Sequence, residues 1–173
     1  MEMDLLYVIQ NLHHPVLDVI MVNLSRLADS GILWICLALV FLYTKKYREY
    51  GAAMGTSLFF SFLAGNIILK NLVARSRPCW IDTGIQLLIA NPGDYSFPSG
   101  HTSASFAAAM ALFLYDKKLG IPALVLASLI GFSRMYLFVH FPTDVLAGAA
   151  LGILSALAAV FLIKGIKRRR QLG

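Results

Sequence analysis

Apolar residues in this chain fall into long, nearly unbroken blocks instead of recurring at the helical or strand spacing of a soluble fold. Crossing the hydrocarbon of a bilayer takes roughly 20 such residues in a helix. Four blocks reach or approach that length: Tyr50–Asn71, Ser99–Tyr115, Leu119–Phe138 and Pro142–Ile163. A fifth, Ser30–Thr44, is shorter but uninterrupted. Between Leu5 and Ala28 the pattern changes, because His13, His14 and Pro15 cut it into two amphipathic pieces. That predicts two helices lying in the membrane interface, the alternative being one further and rather polar span. The whole pattern predicts an all-α, polytopic transmembrane helical bundle of five to six spans with an N-terminal amphipathic segment. A single membrane-embedded domain is expected over 1–173, with an interfacial segment at 1–29, a transmembrane core at 30–164 and a basic tail at 165–173.

Composition sharpens this picture. Hydrophobic residues make up 58% of the 173 and the mean hydropathy is +0.72, above the about 45–50% apolar content of a soluble domain, so the expected surroundings are a membrane. In a soluble protein the net charge of +6 would suggest nucleic acid. Here the cations sit at block ends, and no nucleic-acid partner is expected. Lys45, Lys46 and Arg48 follow one block, Lys117 and Lys118 come two spans later, and Lys164, Lys167, Arg168, Arg169 and Arg170 follow the last. Two spans separate each group from the next, so all ten share one face, cytoplasmic by the positive-inside rule, together with the C-terminus. The 71–98 loop and the turn at Val139–Phe141 then face outward from the cell membrane. Glu2 and Asp4 stand where a leader would be positive, so no cleavable signal peptide is expected. Cys36 lies in an apolar block and Cys79 in a polar loop, and the two are not expected to pair. Gly51/Gly55 and Gly148/Gly152 are GxxxG pairs. Close packing within the chain is the expected use and a dimer face the alternative, which leaves monomer or homodimer open.

Ionisable groups at membrane depth are costly and point to function. Setting the ten cytoplasmic cations aside leaves Lys70, Arg75, Arg77, His101, Arg134, His140 and Asp144, each at the external end of a block or just beyond it. Such a set calls for an anion. Lys70 and Arg77 are seven apart and share a face if the helix continues through both, after which Pro78 turns the chain away. Pro98-Ser99-Gly100-His101 leads into a span: Ser99 is placed to cap the helix, its first-turn amides make an anion site, and Gly100 allows close approach. Arg134 offers a planar fork suited to phosphate. His140 and Asp144 are four apart, so the carboxylate can hold one imidazole nitrogen and leave the other as a nucleophile. His101 is placed to protonate a leaving oxygen. A zinc site built from His101, His140 and Asp144 is a weaker reading, because it leaves the cations without a purpose.

These residues resemble a known family. Lys70, six residues, then Arg77-Pro78 is similar to the first motif of the type 2 phosphatidic acid phosphatase superfamily. Pro98-Ser99-Gly100-His101 is similar to its second, and Ser133-Arg134, five residues, His140, three residues, Asp144 to its third, eleven fixed positions without a departure. The resemblance implies a membrane lipid phosphatase in which Lys70, Arg77, Ser99, Gly100 and Arg134 bind phosphate. It makes His140 the nucleophile, Asp144 its orienting partner and His101 the acid and later the base, with no metal and no cofactor. The soluble vanadium haloperoxidases share these residues, but the spans argue against that branch. Among lipid phosphatases the short form resembles bacterial undecaprenyl-pyrophosphate phosphatases, the favoured reading. Phosphatidylglycerophosphate, phosphatidic acid or lipid A phosphatases are alternatives, and a lipid phosphotransferase or a non-catalytic phospholipid-binding or transport protein stands behind them. The lipid partner is not fixed by the motifs.

Overall fold

The structure is a computed structural model that describes residues 1–172. Gly173, the end of the expected basic tail, and the side chains of 170–172 lie outside the described residues. Among the described residues the chain is helical without strands. Helix α1 (Glu2–Gln10) is followed by α2 (Pro15–Leu27), whose start is set by Pro15 at its first position and by His14, which accepts a bond from the Val16 amide at 3.3 Å. A tight turn over Asp29–Gly31, with left-handed backbone at Ser30 and Gly31, leads into α3 (Ile32–Tyr43). Helix α4 (Arg48–Ser61) runs on through a π-helical stretch, Phe62–Leu69, to a last turn at Lys70–Val73, where Ala74 turns left-handed and ends it. The loop that follows carries one short turn of helix, α5 (Pro78–Ile81). Helices α6 (Gly100–Tyr115), α7 (Lys117–Tyr136) and α8 (Pro142–Leu172) complete the bundle. Asp116 separates α6 from α7 and caps the latter by accepting from the Lys118 amide at 2.8 Å.

Helix α6 is central and packs against α4, α7 and α8. In lipid such contacts rest on small residues that let backbones approach. Ala107, Ala108, Ala109 and Ala111 are fully buried on α6. A Cβ at Gly148 would lie 2.8 Å from the Ser99 carbonyl oxygen, and one at Gly152 2.5 Å from that of Ser103, so both glycines of this pair seat α8 on α6. Gly51 plays the same part between α4 and α3. These three glycines therefore serve packing within the chain, whereas Gly55 has nothing within 4 Å of a would-be Cβ. Trp34 on α3 is buried and donates to Ser105 on α6 at 2.9 Å.

Three helical stretches are long and apolar enough to cross a bilayer: Lys45–Ile81, Lys117–Tyr136 and Pro142–Arg169. A fourth is added if α2 and α3, bent by 45° at their junction, count as one. That is fewer than the expected five to six. The difference lies in α3 and α6, of 12 and 16 residues, which are short by length although α6 sits at the centre of the bundle. The cation groups gather at one end: the Tyr50 and Tyr115 rings meet at a tilt, Lys164 lies over the Tyr115 ring, and Lys167 pairs with Glu49 at 2.5 Å. Helices α1 and α2 pack against α7, where Leu6, Ile9 and Met21 share a buried cluster with Tyr136–Val139, Phe141 and Cys79.

Candidate active site

At the opposite end of the bundle the singled-out residues converge. Lys70 reaches it from the last turn of α4. Arg77 does not continue that helix. Its backbone is extended ahead of Pro78 (φ −80°, ψ 154°), so the shared helical face expected for Lys70 and Arg77 is not formed. Asp94 brings them together instead: its carboxylate pairs with the Lys70 ammonium through one oxygen and with Arg77 Nη2 at 2.6 Å through the other. Arg77 is buried, and its remaining donors reach the Asp94 carbonyl at 2.7 Å, the Val139 carbonyl at 2.7 Å and His140 Nε2 at 3.1 Å. Burial alone would raise the Asp94 carboxyl, but Lys70 and Arg77 outweigh it and hold it at about 2. A carboxylate thus sits on the two cations a phosphate would need.

His140 hangs from the turn between α7 and α8, 1% exposed, with Asp144 one helical turn on and 0% exposed. The direct bond expected between them is absent: Nδ1 lies 3.7 Å from Asp144 Oδ2, beyond hydrogen-bond reach. Ser96 stands between, donating to Asp144 Oδ2 at 2.5 Å with its hydroxyl 3.4 Å from His140 Nδ1. The carboxylate is further fixed by the Phe141 amide at 2.8 Å and by Arg75 Nη1 at 2.7 Å, and Arg75 in turn holds Glu2 at 2.6 Å. Burial lowers the His140 pKa from its usual range. Asp144 opposes this, Arg77 and Arg134 add to it, and the balance favours the neutral ring, whose Nε2 faces Arg77 Nη1 at 3.1 Å.

Ser99 occupies the N-cap position of α6 but makes no capping bond. Its hydroxyl accepts from Thr102 at 2.9 Å, because Thr102 is one turn on and equally buried, so the expected serine cap is corrected. The first-turn amides of α6 stay open to a ligand. At Gly100 a Cβ would come within 3.0 Å of the Asn66 amide, whose Oδ1 is buried without a partner, so the missing side chain makes room for Asn66 as well as for a ligand. Arg134 is buried, donates to Ser25 of α2 and leaves Nε unpaired. His101 has a carboxylate beside it: Asp29 Oδ1 lies 2.7 Å from Nε2. The sequence pattern left Asp29, Ser25, Ser96 and Asn66 out of the site, and it counted Arg75 with the residues calling for an anion, whereas Arg75 is paired with Asp144 and Glu2. His101, His140 and Asp144 do not form a metal-holding cluster among the described residues.

Lys70, Arg77, His101, Arg134 and His140 open into one cavity of about 720 Å³. From these polar groups it extends along the groove between α3 and α4, past Leu58, Phe59 and Gly55 on one side and Ile35 and Leu39 on the other, as far as Leu42 and Gly51. One compartment therefore offers cations and a neutral imidazole at one end and an apolar channel at the other.

The chain is similar to proteins of known sequence and structure. The undecaprenyl-diphosphatase of Sulfolobus acidocaldarius is 34% identical over 137 residues, covering 79% of this chain and 66% of that protein. Phosphatidylglycerophosphatase B of Bacillus subtilis is 32% identical over 176 residues, covering 92% and 82%. The crystal structure of LpxE from Aquifex aeolicus superposes with a TM-score of 0.81 at 30% identity, covering 92% of this chain and 94% of that one. Across eight curated relatives the chain spans 44% to 82% of the relative's length. The sequence profile of the PAP2 superfamily matches residues 46–168, which takes in all three motifs and every cation of the cavity, and the chain belongs to that superfamily.

Proposed function

We propose that this protein is an integral-membrane lipid phosphatase that cleaves a lipid phosphate or diphosphate through a phosphohistidine on His140, without a metal. The observation that carries the reading is the position of His140 Nε2, beside Arg77 at the polar end of a cavity whose other end is an apolar groove. The phosphate displaces Asp94 and takes Lys70, Arg77, Arg134 and the α6 amides as donors. His140 Nε2 attacks phosphorus, the bond to the lipid oxygen breaks, and His101 gives that oxygen its proton. Asp144, acting through Ser96, stabilises the positive charge that develops on His140. His101 then takes a proton from water, the hydroxide attacks phosphorus, the N–P bond breaks, and inorganic phosphate leaves. Positioning and charge neutralisation supply most of what phosphoryl transfer requires, and three side-chain cations can do here what a metal does elsewhere.

Undecaprenyl diphosphate is the favoured substrate, since a relative named for that activity is similar over most of this chain. A glycerophospholipid phosphate is the alternative, supported by the longer match to phosphatidylglycerophosphatase B. Phosphate release from pure protein over a panel of lipid diphosphates and monophosphates tests both. With EDTA present turnover should persist and vanadate should inhibit, whereas turnover that stops on chelation and returns with zinc overturns the metal-independent reading.

We read five crossings, α3, α4, α6, α7 and α8, with α1 and α2 at the interface. The basic end is cytoplasmic and the site external. Support comes from the cation groups at one end of the bundle and from α1 and α2, whose polar contacts all lie at the other. A tag inserted at Thr83–Leu88 in cells should be labelled by a membrane-impermeant reagent. Labelling only after permeabilisation reverses the orientation and the side of the substrate.

A further inference from the structure

We propose that Asp29 is the positioning partner of His101, so that the N-terminal segment completes the proton-transfer half of the site. The inference rests on the reading of His101 as acid and base. Asp29 lies outside residues 46–168, the stretch matched by the superfamily profile. It reaches His101 across 72 residues of sequence, with Oδ1 2.7 Å from Nε2. Nδ1 has no hydrogen-bond partner among the described residues, so it is the nitrogen left to exchange a proton with a ligand. This division repeats that at His140, where the carboxylate side of the ring is Nδ1 and the working nitrogen is Nε2.

Two further observations support a built contact. Ser30 (φ +53°) and Gly31 (φ +68°) both adopt left-handed backbone, which a residue with a side chain adopts at a cost. This turn ends α2 and brings Asp29 against His101, while its neighbours Ala28, Ser30 and Gly31 line the cavity. One helical turn earlier Ser25 accepts a bond from Arg134, so the same corner is held at the third motif as well. The chemistry needs such a partner. Arg77, Arg134 and Lys70 line the cavity with His101, and an imidazole that must carry a proton among cations requires a negative neighbour. In the first step the imidazolium passes its Nδ1 proton to the leaving oxygen. In the second, neutral Nδ1 takes a proton from water. Asp29 remains a carboxylate hydrogen-bonded to the Nε2 proton throughout.

The test uses the full-length protein with Asp29→Asn and Asp29→Glu. The Asp29 side chain is 57% exposed, so the amide should leave the fold intact. With a lipid monophosphate, whose alkoxide leaving group needs a proton, Asp29→Asn should slow phosphorylation about 100-fold. With p-nitrophenyl phosphate the leaving group needs little help. The burst of p-nitrophenolate should survive while the phosphoenzyme accumulates, because His101 is also slowed as the base for water. Asp29→Glu should recover part of the loss. Equal loss of burst and label with both substrates, or wild-type behaviour with both, overturns the proposal. A wild-type protein that gives no labelled histidine overturns the phosphohistidine reading itself, a failure distinct from an unaffected variant in a labelled background.

Discussion

His140→Ala should form no phosphoenzyme and should lose at least about 10⁴-fold in turnover, the scale seen when a covalent nucleophile is removed. Among the described residues His140 Nε2 is the only imidazole nitrogen in contact with Arg77, at 3.1 Å, and burial keeps the ring neutral. His101, the other ring that lines the cavity, has its Nε2 committed to Asp29. The cations proposed to bind phosphate are untouched by the substitution, so vanadate or substrate should still bind to the variant, and binding without turnover is the signature of a lost nucleophile. Acid-quenched labelling with a ³²P substrate decides the matter. Normal labelling of His140→Ala, or label recovered on His101 in the wild type, reverses the roles of the two histidines while leaving the cation pocket as described.

What could be read along the sequence was what depends on local spacing. The blocks gave the helices α3, α4, α6, α7 and α8, their alternation put distant cations at one level, and the i, i+4 spacing of His140 and Asp144 set them side by side. What escaped reading depends on contacts that spacing does not encode. Ser96 stands between His140 and Asp144 because the loop returns to pair its amide with the Arg75 carbonyl at 2.8 Å, and nothing in the stretch before Pro98 signals that return. Nothing in the local spacing around Asp94 signals a partner, yet it bridges Lys70 and Arg77. The N-terminal segment read as an interfacial attachment, yet Glu2, Ser25 and Asp29 reach Arg75, Arg134 and His101 across 73, 109 and 72 residues. One signal was present: Asp29 is a carboxylate between two apolar stretches, where an unpaired charge is expensive. Its placement at the end of α2 called for a cation or an imidazole, and only the fold says which.

Gly152→Leu should be the most destructive substitution away from the chemistry. A Cβ there would lie 2.5 Å from the Ser103 carbonyl oxygen, 2.7 Å from the Ala107 amide and 2.8 Å from Phe106 Cβ. Two of these atoms belong to the backbone of α6, which cannot rotate aside, so α8 must move away from the central helix along the largest interface of the bundle. Overpacking of a well-packed core costs about 1–3 kcal/mol, and backbone clashes lie at or above the top of that range. For a chain of this size that lowers Tm by roughly 6–12 °C. Because the same helix pair carries Ser99, Gly100, His101 and Asp144, activity toward every substrate should fall together. Two other glycines calibrate the result. Gly165 has nothing within 4 Å, so Gly165→Leu should leave both Tm and activity unchanged. Gly55 is equally open to a side chain but lines the groove between α3 and α4. Gly55→Leu should keep the Tm, raise KM about 10-fold for a long-chain lipid and leave p-nitrophenyl phosphate hydrolysis alone, since a branched side chain there fills the groove proposed for the lipid chain. Thermal unfolding in detergent followed by the two assays separates the three. A Gly152→Leu protein as stable as the wild type would show that α6 and α8 are not in the close contact described, and a Gly55→Leu protein equally impaired on both substrates would remove the groove from the path of the lipid.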